Sequence, residues 1–305
     1  MRRFLKLVTG VAVLGAASLG VVIAWPVGSA VTPIAIEGNV DRGAYLARAS
    51  GCIACHTNFE AGGAPLAGGA PLETPFGTFY PPNLTTDPEH GMGEWTAEQF
   101  AKAVRQGIGP DGTPYYPSFP YTFYADFSDQ DIADLWAAFQ TVPPVDEPAP
   151  ENDVSFPFDQ RWGLKLWRAA FFYDPDTEPV EGRSDSWNRG RELVRGAAHC
   201  GACHTPRNLA GGRDIGASFA GNAQLPGGSK APAIRPKDLV KNDWTVSNLA
   251  YALQTGITPS GDAFGGSMAE VVREGTRFLT PADREAMALF LLNKDTVEAE
   301  NPASN

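Results

Sequence analysis

The chain has 305 residues, 43% of them hydrophobic, and a formal net charge of −11. That length suits two domains of ordinary size. The acidic excess argues against nucleic acid and against an anionic membrane surface as partners, and fits either docking on a basic face of another protein or the solubility of a secreted one. A content of 33 Gly and 26 Pro is high for a helical chain and implies small helical units wrapped in long loops.

Arg2, Arg3 and Lys6 precede an apolar run over residues 7–25, and the next charged residue is Glu37. This pattern predicts a cytoplasmic N-terminus and export of everything after it. The run approaches the about 20 residues that span a bilayer and exceeds the core of an ordinary signal peptide. Segment 1–30 therefore reads as an N-terminal membrane anchor, or as a signal peptide cleaved near Gly28-Ser29-Ala30. The expected location is the periplasmic side of a bacterial inner membrane, anchored by this helix, or the soluble periplasm if it is cleaved.

From residue 38 the chain reads as a small helical domain. Asp41 is placed to cap a helix over 42–50, Thr96 one over 97–106 and Ser128 one ending at 139. Phe100, Ala101 and Val104, and then Ile132, Leu135, Trp136 and Phe139, recur at helical spacing. A proline-rich stretch from 141 to 157 reads as linker. Leu164 to Trp167 and Phe171-Phe172 predict a short buried helix between two domains. The expected units are 38–142, a linker with a short helix over 143–186, and 187–297.

The second unit repeats the first. Arg42-Gly43 and Leu46 match Arg189-Gly190 and Leu193, and Trp95-Thr96 and Gly107-Ile108 match Trp244-Thr245 and Gly256-Ile257, at offsets of 147 to 149. Such agreement indicates duplication of one fold. The last helix follows Thr280-Pro281.

The chemistry-bearing stretches are Cys52-Ile53-Ala54-Cys55-His56 and Cys200-Gly201-Ala202-Cys203-His204. Cysteines at this spacing followed at once by histidine are the pattern of c-type haem attachment, in which each thiol forms a thioether and the histidine turns onto the iron. A zinc ribbon needs its two Cys pairs closer in sequence, and a redox pair should follow a strand in a βαβ unit, so neither fits. Two covalently bound haem c groups are expected, with His56 and His204 as metal ligands. For the other face of the second iron the candidate is Met268, in a glycine-rich loop after the helix begun at Trp244. Subtracting 149 leads to Phe119, so the first haem lacks a methionine where its own repeat predicts one. Met92, His90, Tyr115, Tyr116, Tyr121 and Tyr124 are the possible substitutes, and an open first iron is the other outcome. Met287 reads as core. His199 reads as structural or surface, Arg207 could reach a haem propionate, and Trp95 and Trp244 either do so or pack in the core.

Cys52 to Thr57, Pro82-Asn83-Leu84-Thr85, Tyr116 to Tyr121, Phe156-Pro157-Phe158, His199 to Asn208 and Gly265 to Val272 resemble the multi-haem cytochrome c subunits of bacterial periplasmic alcohol, gluconate and sugar dehydrogenases. The resemblance covers nearly everything after residue 38. It implies an all-α fold of two tandem class I cytochrome c-like domains after the N-terminal hydrophobic helix. It also implies a periplasmic dehydrogenase or other redox protein as partner, and electron delivery to the respiratory chain. In that group the first-domain methionine usually stands where this chain has Phe119, and in some members further along, near Phe127, which is also Phe here. The rival expectation is a haem enzyme, a peroxidase or sulfur-compound oxidoreductase, working at an open first haem.

Overall fold

The computed structural model describes residues 2–225 and 228–297; Met1 lies outside them. Helix α1 runs over Arg2–Ala24. Its first turns carry three cations, leaving residues 7–24 for an apolar stretch. Among the described residues no helix is long and apolar enough to cross a membrane. The expected membrane anchor, and the anchored location that depended on it, are therefore corrected. The C-terminal carbonyls of α1 are instead engaged by another part of the chain, since Lys165 Nζ donates to Ile23 O at 2.5 Å and Trp25 O at 2.8 Å.

Helix α2, Val40–Ala49, is capped by Asn39, whose side chain accepts from the Arg42 amide, and not by Asp41 as expected. Helix α3, Cys52–His56, holds the first Cys-x-x-Cys-His stretch after Gly51 turns the chain at φ 68°. Strands β1, Leu72–Thr74, and β2, Gly77–Phe79, form a hairpin. Helix α4, Ala97–Gln106, begins in a capping box of Thr96 and Gln99. Helix α5, Asp129–Phe139, begins in one of Ser128 and Asp131. Strand β3, Asp153–Val154, comes from the proline-rich segment and pairs antiparallel with β2. The helices thus share the chain with a small three-stranded sheet in the order β1-β2-β3, a correction to the all-α expectation. Its strands are two or three residues long, too short to show an alternating pattern.

Helix α6 covers Gly163–Phe171; Leu164 is buried, but Leu166 is exposed, so the expected fully buried helix is only half realised. Helix α7, Asp185–Arg195, is followed by a 3₁₀ turn over Cys200–Ala202 that holds the second stretch. Helices α8, Pro236–Lys241, α9, Val246–Thr255, α10, Gly266–Glu274, and α11, Pro281–Leu292, complete the helices of the described residues.

Two helix crossings organise the molecule, α2 on α5 and α7 on α11. Each is made possible by a glycine, because a Cβ on Gly43 would run into the Asp134 carbonyl and one on Gly190 into the Ala286 carbonyl. Each is clamped by the preceding arginine, with Arg42 Nε 2.9 Å from Asp134 Oδ2 and Arg189 Nε 2.9 Å from Asp283 Oδ1. One apolar cluster gathers Leu66, Met92, Phe100, Ile132, Leu135 and Phe139, and another gathers Leu193, Val194, Leu249, Met287 and Leu289. Helix α2 joins them: Ala47 belongs to the first and Ala49 to the second. The Tyr45 hydroxyl donates to Asp283 Oδ2 at 2.5 Å across the join.

Candidate haem-attachment sites

The first site is built on α3. His56 is buried, and its Nδ1 donates to Pro82 O at 2.7 Å, which leaves Nε2 free to bind a metal. Burial pushes this imidazole down to about 4 against the raising effect of the Pro82 carbonyl, so it is neutral at pH 7 and has a lone pair to give. The loop that carries Pro82 is tied in place by Asn83, whose Nδ2 donates to Val145 O at 2.8 Å and Glu147 O at 3.1 Å. Thr57 is buried, and its hydroxyl accepts from the Leu66 amide at 3.0 Å.

The second site repeats this on a 3₁₀ turn. His204 is buried, with Nδ1 donating to Pro232 O at 2.8 Å. Burial again lowers its pKa. Thr205 matches Thr57, its hydroxyl accepting from the Phe219 amide at 3.2 Å. In place of an asparagine strap, Asn222 and Ala231 exchange two backbone hydrogen bonds of 2.9 Å.

All four cysteines are unpaired. Burial pushes the Cys52 and Cys200 thiols up to about 12, the opposite of what an active redox thiol requires. Among the described residues no three His, Cys, Asp or Glu side chains gather as a metal cluster. Each site thus presents one neutral, oriented imidazole and two thiols. That donor set fits a haem, which brings its own four equatorial nitrogens, and does not fit an all-protein metal centre.

The other expected residues are dispersed. Met268 lies half-buried in the first turn of α10, against the second apolar cluster, and not in an open loop. Met92 is 2% exposed within the first cluster. His90 Nε2 lies 3.4 Å from Asp146 Oδ1. Arg207 turns onto its own loop, donating to Gly211 O at 2.7 Å and Ala202 O at 3.0 Å. Trp95 and Trp244 pack at the edges of the two clusters.

The roles of four residues escaped the reading of the sequence, although Pro82 and Tyr124 were singled out there for other reasons. The Pro82 and Pro232 carbonyls orient the imidazoles, and the only signal for them is a proline at nearly the repeat offset. Tyr124 joins the two sites: its hydroxyl donates to Ser50 O at 2.8 Å, two residues before Cys52, and lies 3.4 Å from His199 Nδ1, just before Cys200. Arg213 lies 4.0 Å over the Phe123 ring beside this joint, and burial together with Arg207 and Arg195 pushes its pKa down to about 10.

A helical chain with such a site is built as a c-type cytochrome. The cytochrome c family model matches residues 40–139. A di-haem c-type cytochrome of Cereibacter sphaeroides is 41% identical over 271 residues, covering 86% of this chain and 88% of the relative. The chain belongs to the cytochrome c family. It is also similar to the cytochrome c subunit of the quinone-dependent alcohol dehydrogenase of Gluconobacter oxydans, 39% identical over 292 residues, which are 92% of this chain and 60% of that subunit. The fructose dehydrogenase cytochrome subunit of Gluconobacter japonicus is 39% identical over 264 residues, 83% of this chain and 52% of that subunit. The chain thus spans most of the di-haem relative but less than two thirds of these two dehydrogenase subunits.

Proposed function

We propose that this chain is a two-haem electron-transfer subunit that takes single electrons from a periplasmic dehydrogenase and passes them towards the respiratory chain. Cys52, Cys55 and His56 would hold one haem c. Cys200, Cys203, His204 and Met268 would hold the other. The two lie in tandem units, 38–142 and 187–297, joined by 143–186. The bound group supplies the one-electron chemistry, while the chain orients the imidazoles through the Pro82 and Pro232 carbonyls and shields them from water.

The observation that carries this reading is the doubled arrangement itself, a buried imidazole held at Nδ1 by a proline carbonyl at 2.7 Å and again at 2.8 Å. The relatives named as dehydrogenase cytochrome subunits support the partner class. The net charge of −11 favours a basic docking face on that partner. The test is to mix the oxidised holoprotein with the dehydrogenase co-expressed from the same source and to add the dehydrogenase's substrate. Substrate-dependent appearance of the reduced cytochrome bands is expected, and bands that stay oxidised while the dehydrogenase turns over an artificial acceptor would overturn the reading.

A further inference from the structure

The two repeats keep one register well beyond the attachment sites. At an offset of 149, Thr96 and Thr245 cap α4 and α9, which end at Gly107 and Gly256 in left-handed conformation. The bridge between Ile108 and Pro114 recurs between Ile257 and Ala263. The Tyr115 amide donates to Gly107 O at 2.7 Å, and the Phe264 amide to Gly256 O at 2.7 Å. Four residues past this shared anchor stand Phe119 in the first repeat and Met268 in the second.

Phe119 sits in a group of rings, 6.1 Å from Tyr115, 6.2 Å from Tyr121 and 5.9 Å from Tyr124 by centroids. Through Tyr124, bonded to Ser50 O, this group reaches the first attachment helix. A phenyl ring has no lone pair to give a metal.

The substitutes are placed elsewhere. The Nδ1 and Nε2 atoms of an imidazole point in different directions, and a group on the far face of the iron must lie beyond Nε2. The chain at Pro82 lies on the Nδ1 side of His56, and it leads into Met92, whose amide donates to Thr85 O at 2.7 Å. The Met92 side chain is buried among Leu66, Phe100 and Leu135. His90 faces Asp146. The Tyr116 hydroxyl donates to Phe158 O at 3.0 Å, and that of Tyr124 is engaged with Ser50. The Tyr121 ring is stacked under Arg168, 4.9 Å from the guanidinium carbon, and its buried hydroxyl has no hydrogen-bond partner among the described residues. Tyr115 packs against Gly109 on its own loop.

Resting on the two-haem reading, we propose that the first haem has no side chain opposite His56, that Phe119 leaves this position open, and that it binds a small exogenous lone-pair donor of the carbon monoxide or cyanide kind. The second haem, with Met268 in the matching place, is closed to such ligands.

The test is carbon monoxide titration of the reduced, full-length holoprotein, with covalent haem counted in the same sample. Uptake of one carbon monoxide per chain is expected, falling to none in Phe119→Met and rising to two in Met268→Ala. Oxidised unmutated protein should also show one high-spin and one low-spin signal by electron paramagnetic resonance, a readout that does not depend on how the variants fold. Two haems per chain with no carbon monoxide uptake and two low-spin signals would overturn this proposal while leaving the electron carrier intact. Uptake that persists in Phe119→Met would show that the ligand binds elsewhere and would overturn it as well. A haem count other than two would bring down the reading on which it rests.

Discussion

The two candidate attachment sites reach the same end by different local means. At the first, the Cys-x-x-Cys-His stretch is a short α-helix, and the loop that holds its imidazole is strapped by Asn83 to Val145 and Glu147. At the second, the stretch begins in a 3₁₀ turn over Cys200–Ala202 and the loop is closed by the pairing of Asn222 with Ala231. What both keep is a carbonyl on Nδ1 and a buried threonine hydroxyl that takes an amide from the following loop. The requirement common to both is therefore the orientation of one neutral imidazole, since any backbone that delivers it will serve.

The comparison breaks most visibly when the thiols are removed. Replacing Cys52 and Cys55 by alanine, or Cys200 and Cys203, is expected to cost one covalently held haem in each case, leaving one of two, as counted by haem staining per chain after denaturation. Equal losses would show that the 3₁₀ turn serves as well as the helix.

Next in size are the helix crossings. Gly43→Val and Gly190→Val each press a side chain into a facing carbonyl, and each should destabilise by about 3 kcal/mol, read from thermal unfolding. A much smaller loss at one of them would show that the two crossings are not equivalent.

The two carboxylates that clamp these crossings sharpen the comparison with pH. Burial alone would raise Asp134, but the Asn39 amide at 2.6 Å, Gln130 and Arg42 outweigh it and hold the carboxyl below the ordinary range. Burial would likewise raise Asp283, and Arg189 and Tyr45 bring it down. A lowered folded pKa means that the unfolded chain takes up the proton first. The stabilisation is therefore complete above the ordinary carboxylate value of about 4 and is lost as pH falls below it through the lower folded value. Asp134→Asn should cost about 2 kcal/mol at neutral pH and weaken the acid dependence, both read from denaturant titrations.

The smallest effect is expected at the joint between the sites. Tyr124→Phe removes the bond to Ser50 O and should cost about 1 kcal/mol in the same titrations. It should leave both haems attached, because the hydroxyl touches neither thiol pair's histidine.

Much of this was legible in the chain because the signals are local. Thr96, Ser128 and Thr280 mark helix starts by a hydroxyl that accepts an amide three residues on, and all three do so. The repeat could be read because Arg-Gly at a helix crossing and Gly at a helix end meet steric demands that few other residues satisfy. What was not legible depends on partners distant in sequence. Strand β3 exists because β2 is there to receive it, and Asn39 displaced Asp41 as the cap of α2 with its own amide bonded to Asp134. Met268 entered the first turn of α10 because residues 266–274 form a helix with Val272 buried. The N-terminal segment was read as an anchor from the uncharged run over residues 7–25, whereas among the described residues no helix is long and apolar enough to cross a membrane.

The central claim is that the chain holds two haems at sites with one oriented histidine each, and covalent haem stoichiometry tests it most directly. Holoprotein produced in a host that attaches c-type haem should be denatured, extracted with acidified acetone and assayed as the pyridine haemochrome. The account predicts two haems per chain that stay with the polypeptide through extraction, falling to one when Cys200 and Cys203 are replaced. Haem that leaves with the solvent, or a count of one in the unmutated chain, would contradict it.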